Sequence, residues 1–169
     1  MARGYETLSH PIAPVYDSHS RVLMLGSFPS PKSREVGFFY GHPQNRMWRV
    51  LAAVFGEDDI PQTTEDRVAF LHRNHIAMWD VLASCSIVGA SDASIKDPVP
   101  TDLAPIIAAS SIERVFATGA TAAKLYKRFQ EPICGIPCTR LPSTSAANAA
   151  FHLDRLIEAY RIVAEAARS

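Results

Sequence analysis

Short apolar runs of strand character alternate with runs of helical period from one end of the chain to the other. That alternation limits the fold more than any other feature. Residues 21–25 are a strand-type run closed by Gly26. Over residues 47–55 the apolar positions Met47, Val50, Leu51, Val54 and Phe55 recur at helical spacing, with Asn45 placed to cap the helix. A second helix is predicted over 64–73, preceded by Thr63, with Glu65 and Asp66 in the first turn, where the helix dipole favours acids. Residues 76–82 predict a second strand, which runs into a loop over 84–99 rich in Ser, Gly and Asp. A short helix over 102–109 capped by Thr101 follows, then a third strand at 114–118 and a helix at 120–129. Residues 137–141 give a short fourth strand. The last element is an amphipathic helix over 148–167, with Phe151, Leu153, Leu156, Ile157, Tyr160 and Val163 on its apolar side.

Strand–helix alternation of this kind builds a parallel sheet covered by helices on both faces. The expected fold is one α/β domain spanning residues 1–169, three α/β/α layers around a central four-stranded parallel sheet. In such sheets the ligand crevice opens beyond the carboxyl ends of the strands. That position collects residues 26–45, 80–97, 118–119 and 141–148, which are also the least ordinary stretches of the sequence.

Composition removes several classes of function. A chain of 169 residues, 47% hydrophobic and 20% charged, has ordinary globular composition and enough length for a real core. No apolar run approaches the ~20 residues that span a bilayer, so no membrane partner is expected. Residues 1–10 lack a basic-then-apolar signal pattern, which gives a cytoplasmic expectation. Seventeen basic and seventeen acidic residues argue against a protein that coats nucleic acid by phosphate neutralisation, while leaving room for a small DNA footprint. Cys85, Cys134 and Cys138 lack a fourth cysteine or a nearby histidine to complete a tetrahedral site, and they are read as reduced structural thiols. The six histidines show no metal-ligand pairing on one helix. Neither a metal nor another cofactor is expected.

Three segments carry polar chemistry. Gly26-Ser27-Phe28-Pro29-Ser30 follows the first strand, where Gly26 permits close backbone approach and two hydroxyls flank a stiff turn. A plain turn accounts for the same residues. It has no Lys or carboxylate for a phosphate cradle, and no glycine-flanked elbow that would make Ser27 a hydrolase nucleophile. In residues 37–48 the loop carries Phe38, Phe39 and Tyr40 in succession. They form either a hydrophobic plug over the sheet or a wall against which an extruded base stacks. Leu141-Pro142-Ser143-Thr144-Ser145 joins a strand to a helix and serves either as a cap or as a phosphate contact.

Together these segments resemble the uracil-DNA glycosylase superfamily, and within it the hypoxanthine (deoxyinosine) DNA glycosylase branch. The resemblance rests on residues 25–30, 40–48 (Tyr-Gly-His-Pro-Gln-Asn-Arg-Met-Trp), 79–82 (Trp-Asp-Val-Leu), 91–96 (Ser-Asp-Ala-Ser-Ile-Lys) and 141–145, in family order over nearly the whole chain. The His-Pro-x-Asn-Arg-x-Trp stretch also looks like the mismatch-specific uracil and thymine glycosylases. Two departures stand out. Phe28 occupies the position where members typically carry a water-positioning Asp or Asn, and Leu141 replaces a common His. The hypoxanthine branch shares both losses, and there the resemblance assigns catalysis to an Asn that corresponds to Asn45.

The resemblance implies a monomeric enzyme that flips a deaminated base from DNA and hydrolyses its glycosidic bond, hypoxanthine first, then uracil or xanthine. The alternative from another class is a non-catalytic binder of damaged DNA with the same fold. The expected catalytic residues are Asn45, then Ser27. Hypoxanthine and uracil each set a carbonyl beside a ring N–H, so donors at Gly26 and Ser27 and an acceptor at Asp80 would select them. Phe39, with Phe38 and Tyr40 as neighbours, is the expected stacking wall, and Phe28 lies against the base. For the DNA backbone the candidates are Ser30, Pro142, Ser143 and Ser145, with Lys32, Arg34, Lys96 and Arg140 as phosphate partners.

Overall fold

The computed structural model describes residues 4–169. At its centre four parallel strands, β2 (Val22–Gly26), β3 (Ile76–Asp80), β6 (Arg114–Thr118) and β7 (Cys138–Leu141), lie in the order β3-β2-β6-β7. Alternation along β2 explains why the sheet is buried on both sides. Val22 and Met24 enter one core, while Leu23 and Leu25 enter the other, and every one is fully buried.

On the first face lie α2 (Met47–Val54), α3 (Thr64–Arg73) and α7 (Leu153–Arg168), with Trp48, Leu51, Phe70, Leu156 and Tyr160 among the buried side chains. The second face is covered by α4 (Ala104–Ala108) and α5 (Ala120–Phe129). Short helices α1 (Pro31–Val36) and α6 (Glu131–Cys134) complete the helical set. The central parallel sheet between helical layers is thus as expected. Among the described residues, no helix is long and apolar enough to cross a membrane.

The second face also carries an unexpected element. Residues 84–99 were expected as a loop, yet β4 (Leu82–Ile87) and β5 (Lys96–Pro100) pair antiparallel there, and β1 (Glu6–Ser9) adds to β4. The predicted strand over 76–82 accordingly ends at Asp80, and the chain crosses into this second sheet. The reason is local: the Val81 N–H makes the last bond of the β2–β3 ladder, to the Gly26 carbonyl (2.8 Å), and the Leu82 N–H then turns to the Ser27 carbonyl (3.1 Å). Ser and Thr on β4 and β1 supply polar cross-strand contacts such as Thr7 Oγ1 to Ser86 Oγ (2.9 Å) in place of an apolar alternation.

Two helix starts also differ from expectation. Thr101 does not cap α4. Its buried hydroxyl donates to the carbonyls of Asp80 and Val81, and the Asp102 carboxylate accepts the Ala104 N–H instead (3.1 Å). The last helix begins at Leu153 rather than 148, because the carbonyls of Ser145, Asn148 and Phe151 all turn toward the Arg46 guanidinium.

Candidate active site

The strand order puts the loops after β2 and β6 on diverging paths, since β3 lies to one side of β2 and β6 to the other. A crevice opens at such a switch point. Here it is a cleft of about 500 Å³, lined from below by Gly26, Asp80 and Thr118 and from the sides by the turn after β2, residues 39–45 and the loop after β7.

The floor is built around Asp80. His10 Nδ1 accepts the Ile12 N–H (3.2 Å), so its Nε2 carries the proton and donates to Asp80 Oδ2 at 2.7 Å. That bond turns Oδ1 inward, and among the described residues Oδ1 has no hydrogen-bond partner. A Cβ on Gly26 would stand 2.5 Å from Oδ1, so only glycine lets the carboxylate hang over this strand end. Tyr40, held in the left-handed region (φ 50°), reaches across to the Thr118 hydroxyl (2.9 Å). Burial, and next the charge of Asp80, push the Tyr40 phenol well above its ordinary range, so it stays a neutral hydroxyl.

Asn45 forms one wall. Its Oδ1 accepts both the N–H of Met47 at the start of α2 (2.9 Å) and the Thr144 hydroxyl (2.8 Å). Both lone pairs are therefore committed, and among the described residues the Nδ2 amide has no partner. Capping and cleft placement coincide in this side chain. Its neighbour Arg46 holds the loop after β7 in place. The guanidinium donates to the carbonyls of Thr144 (3.3 Å), Ser145 (2.8 Å), Asn148 (3.2 Å) and Phe151.

Across the cleft, the Ser27 hydroxyl donates to Asp92 Oδ1 (2.8 Å). Asp92 opens a single 3₁₀ turn, Asp92–Ser94, at the tip of the β4–β5 hairpin. The turn is fastened by Ser94, whose hydroxyl donates to the Ser91 carbonyl (2.6 Å) and accepts the Val88 N–H (2.8 Å). Desolvation, and then Asp80, raise the Asp92 carboxyl above the usual carboxylate range, against the lowering effect of the Ser27 hydroxyl. The residue is exposed at the rim of the cleft.

The family model described as "Uracil DNA glycosylase superfamily" matches residues 13–164. The chain belongs to that superfamily. A hypoxanthine DNA glycosylase of Methanosarcina acetivorans is 30% identical over 141 residues, 83% of this chain and 89% of the relative. A hypoxanthine DNA glycosylase of Methanosarcina barkeri is 39% identical over 84 residues, which span 50% of this chain and about half (53%) of that relative. A solution NMR structure of a candidate uracil DNA glycosylase from Methanosarcina acetivorans superimposes with a TM-score of 0.81 at 27% identity, covering 97% of this chain and 100% of that one. Together these findings support a DNA glycosylase.

Within the superfamily fold, the cleft brings together Gly26, Ser27, Phe28, Ser30, Phe39, Asn45, Asp80, Ser143 and Ser145 from the sequence-predicted set. Phe39 is 2% exposed yet lines the cleft, while Phe38 turns away and stacks on Trp48 (5.9 Å, 26°). Phe38 is thus part of the core, and Phe39 is part of the cleft lining. Ser30 accepts the Ser33 N–H as the cap of α1. Pro142 lies outside the lining, and its carbonyl accepts the Tyr160 hydroxyl (2.6 Å). Among the cations, Lys32 pairs with Glu35 on α1, Lys96 sits 3.9 Å from the Tyr5 ring centroid, and Arg140 is exposed on the edge strand β7. Arg34 keeps a buried Nε with no partner among the described residues.

Sequence reasoning missed four contributors: His10, Arg46, Thr144 and Asp92. Nothing local marks His10 or Thr144. Arg46 sits beside Asn45 in the quoted motif, and Asp92 in the stretch 91–96, so both were in view without a partner to give them meaning. Among the described residues, no three His, Cys, Asp or Glu side chains cluster as a metal site requires.

Proposed function

We propose that this chain is a monofunctional DNA glycosylase that extrudes a deaminated base, hypoxanthine first and uracil or xanthine next, and hydrolyses its glycosidic bond without a metal. One observation carries the proposal. An aspartate oxygen without a partner among the described residues, aimed by His10, hangs over a glycine at the bottom of a cleft roomy enough for an extruded base. An ionised carboxylate only accepts, and hypoxanthine and uracil each present a ring N–H beside a carbonyl, whereas adenine and cytosine present a lone pair there. A buried acceptor facing a lone pair leaves both groups unpaired, and such mismatches discriminate strongly. The two relatives named for hypoxanthine support putting that base first.

In this mechanism Phe39 and Phe28 supply the apolar surfaces for the extruded base, and the Asn45 Nδ2 amide donates to the reacting region of the nucleotide. Ser30, Ser143 and Ser145 at the rim meet the DNA backbone. The chain acts as a monomer in the cytoplasm.

The test is a panel of labelled duplexes carrying hypoxanthine, uracil, xanthine or only normal bases, incubated with the protein in excess EDTA and then treated with hot alkali. We expect strand cleavage at hypoxanthine, weaker cleavage at uracil and none at adenine. Binding to the damaged duplexes without an alkali-labile site would instead identify a non-catalytic reader of damage, and comparable release of adenine would refute base selection by Asp80.

A further inference from the structure

We infer that Asp92, seated by the Ser27 hydroxyl, is the group that takes the proton from the attacking water. This rests on the glycosylase proposal above and adds the residue that its hydrolytic step requires.

The polar groups of the cleft differ in what they have left to accept a proton. Hydrolysis at C1′ needs a group that holds water and receives its proton as the new bond forms. The Asn45 oxygen does not serve, because Met47 N–H and the Thr144 hydroxyl already fill it. What Asn45 has left is a donor. Asp80 Oδ2 is held by His10, and Asp80 Oδ1 is buried over Gly26, where the base itself must lie. His42 Nδ1 already accepts the Gln44 N–H (3.0 Å), which leaves its Nε2 as the protonated nitrogen. Asp92 differs from all of these. One oxygen accepts Ser27, and the other has no partner among the described residues, although the residue lines the cleft.

Its position also suits the step. Asp92 belongs to the hairpin side of the cleft and is bonded to Ser27, the residue that follows Gly26, so it lines the same cleft as the Asp80 floor. The Ser94 hydrogen bonds fix the turn, and therefore the carboxylate, before any substrate arrives. Desolvation, and after it the charge of Asp80, raise its proton affinity above the ordinary aspartate value, which strengthens it as a base.

The water oxygen bonds to C1′ while the C1′–N bond breaks and its electron pair leaves with the base. A water proton passes to the second Asp92 oxygen. The base anion leaves and takes up a proton from solvent, and protonated Asp92 returns its own proton to solvent.

The experiment uses Asp92→Asn, which still accepts the Ser27 hydroxyl, with single-turnover release of hypoxanthine from a duplex as the readout. We expect a loss of roughly 10²–10³-fold, in the range general-base assistance supplies. Affinity for a non-cleavable 2′-fluoro-deoxyinosine duplex should stay within about twofold, since the base is read by Asp80 rather than Asp92. The wild-type rate should rise with pH as Asp92 ionises and then level off, whereas the variant should be flat over that interval. The titratable groups around Asp92 are Asp80 at the end of β3 and Cys85 on β4, with Arg34 of α1 beside the same thiol. Formate added to Asp92→Ala should restore part of the rate, and this arm carries the test if Asp92→Asn does not fold. A variant rate within a few-fold of wild type, or an unchanged acid limb, overturns the inference and leaves the glycosylase proposal standing. A wild-type protein that releases no base overturns both.

Discussion

The two walls of the cleft are made on opposite plans. On the Asn45 side nearly every polar atom is bonded within the protein, from the doubly occupied carbonyl of Asn45 to the carbonyls gathered on Arg46. On the Asp92 side Ser94 fixes the turn, while Asp92 itself holds only the Ser27 hydroxyl, and its second oxygen has no partner among the described residues. Saturated groups hold geometry, and unsaturated ones do chemistry. A residue's place in a motif therefore says less about its task than the bonds it has left over.

The sharpest way to break this comparison is Asn45→Asp. Aspartate keeps both bonds of the carbonyl oxygen and replaces only the unpartnered amide donor with an acceptor. If that donor is what Asn45 contributes, single-turnover hypoxanthine release should fall by about a hundredfold or more, and Asn45→Ala by at least as much. Circular dichroism should show both variants folded, because a lost cap costs only about 1 kcal/mol. Near-wild-type rates in Asn45→Asp would mean that the residue only caps and clamps.

Arg46→Met tests the saturated wall itself. Removing the cation strands several carbonyls, and hydrogen bonds to charged groups are worth about 1.5–3 kcal/mol each when lost. We expect a stability loss of roughly 2–4 kcal/mol, read as a drop in Tm of roughly 4–16 °C for a domain of this size. Arg46→Lys should recover little of it, since an ammonium cannot reproduce the planar fork. An unchanged melting curve would show that the loop after β7 holds itself.

The smallest expected effect belongs to the floor. His10→Leu removes the donor that holds Asp80 Oδ2 and so frees the carboxylate to turn away from the base. Preference for hypoxanthine over adenine should weaken by about tenfold, read as the ratio of single-turnover rates, since a misplaced acceptor no longer separates the two bases. An unchanged ratio in this variant would remove His10 from base recognition.

The sequence made the parallel sheet legible because each of its strands is a compact apolar run bounded by a turn, as Val22–Gly26 is by Ser27 and Pro29. It hid the second sheet because β4 and β5 read Leu-Ala-Ser-Cys-Ser-Ile and Lys-Asp-Pro-Val-Pro, with polar and proline residues where pairing alone defines the strand. The site divides in the same way. Asn45, Gly26 and Asp80 lie in stretches whose local pattern marks them, while the Asp80–His10 and Ser27–Asp92 bonds join residues 70 and 65 positions apart. Contacts of that kind follow from topology, and no window of sequence contains both partners.

The crossing at Val81 and Leu82 has a further consequence. The two amides that carry the chain from one sheet to the other are bonded to the carbonyls of Gly26 and Ser27, the same turn that bounds the cleft. Their hydrogens can exchange with solvent only when that turn lifts away. The crossing between the two sheets and the turn that bounds the cleft are thus tied by the same two hydrogen bonds. The molecule carries two built-in reporters of whether its cleft is assembled, and they can be read by deuterium uptake with no substrate present.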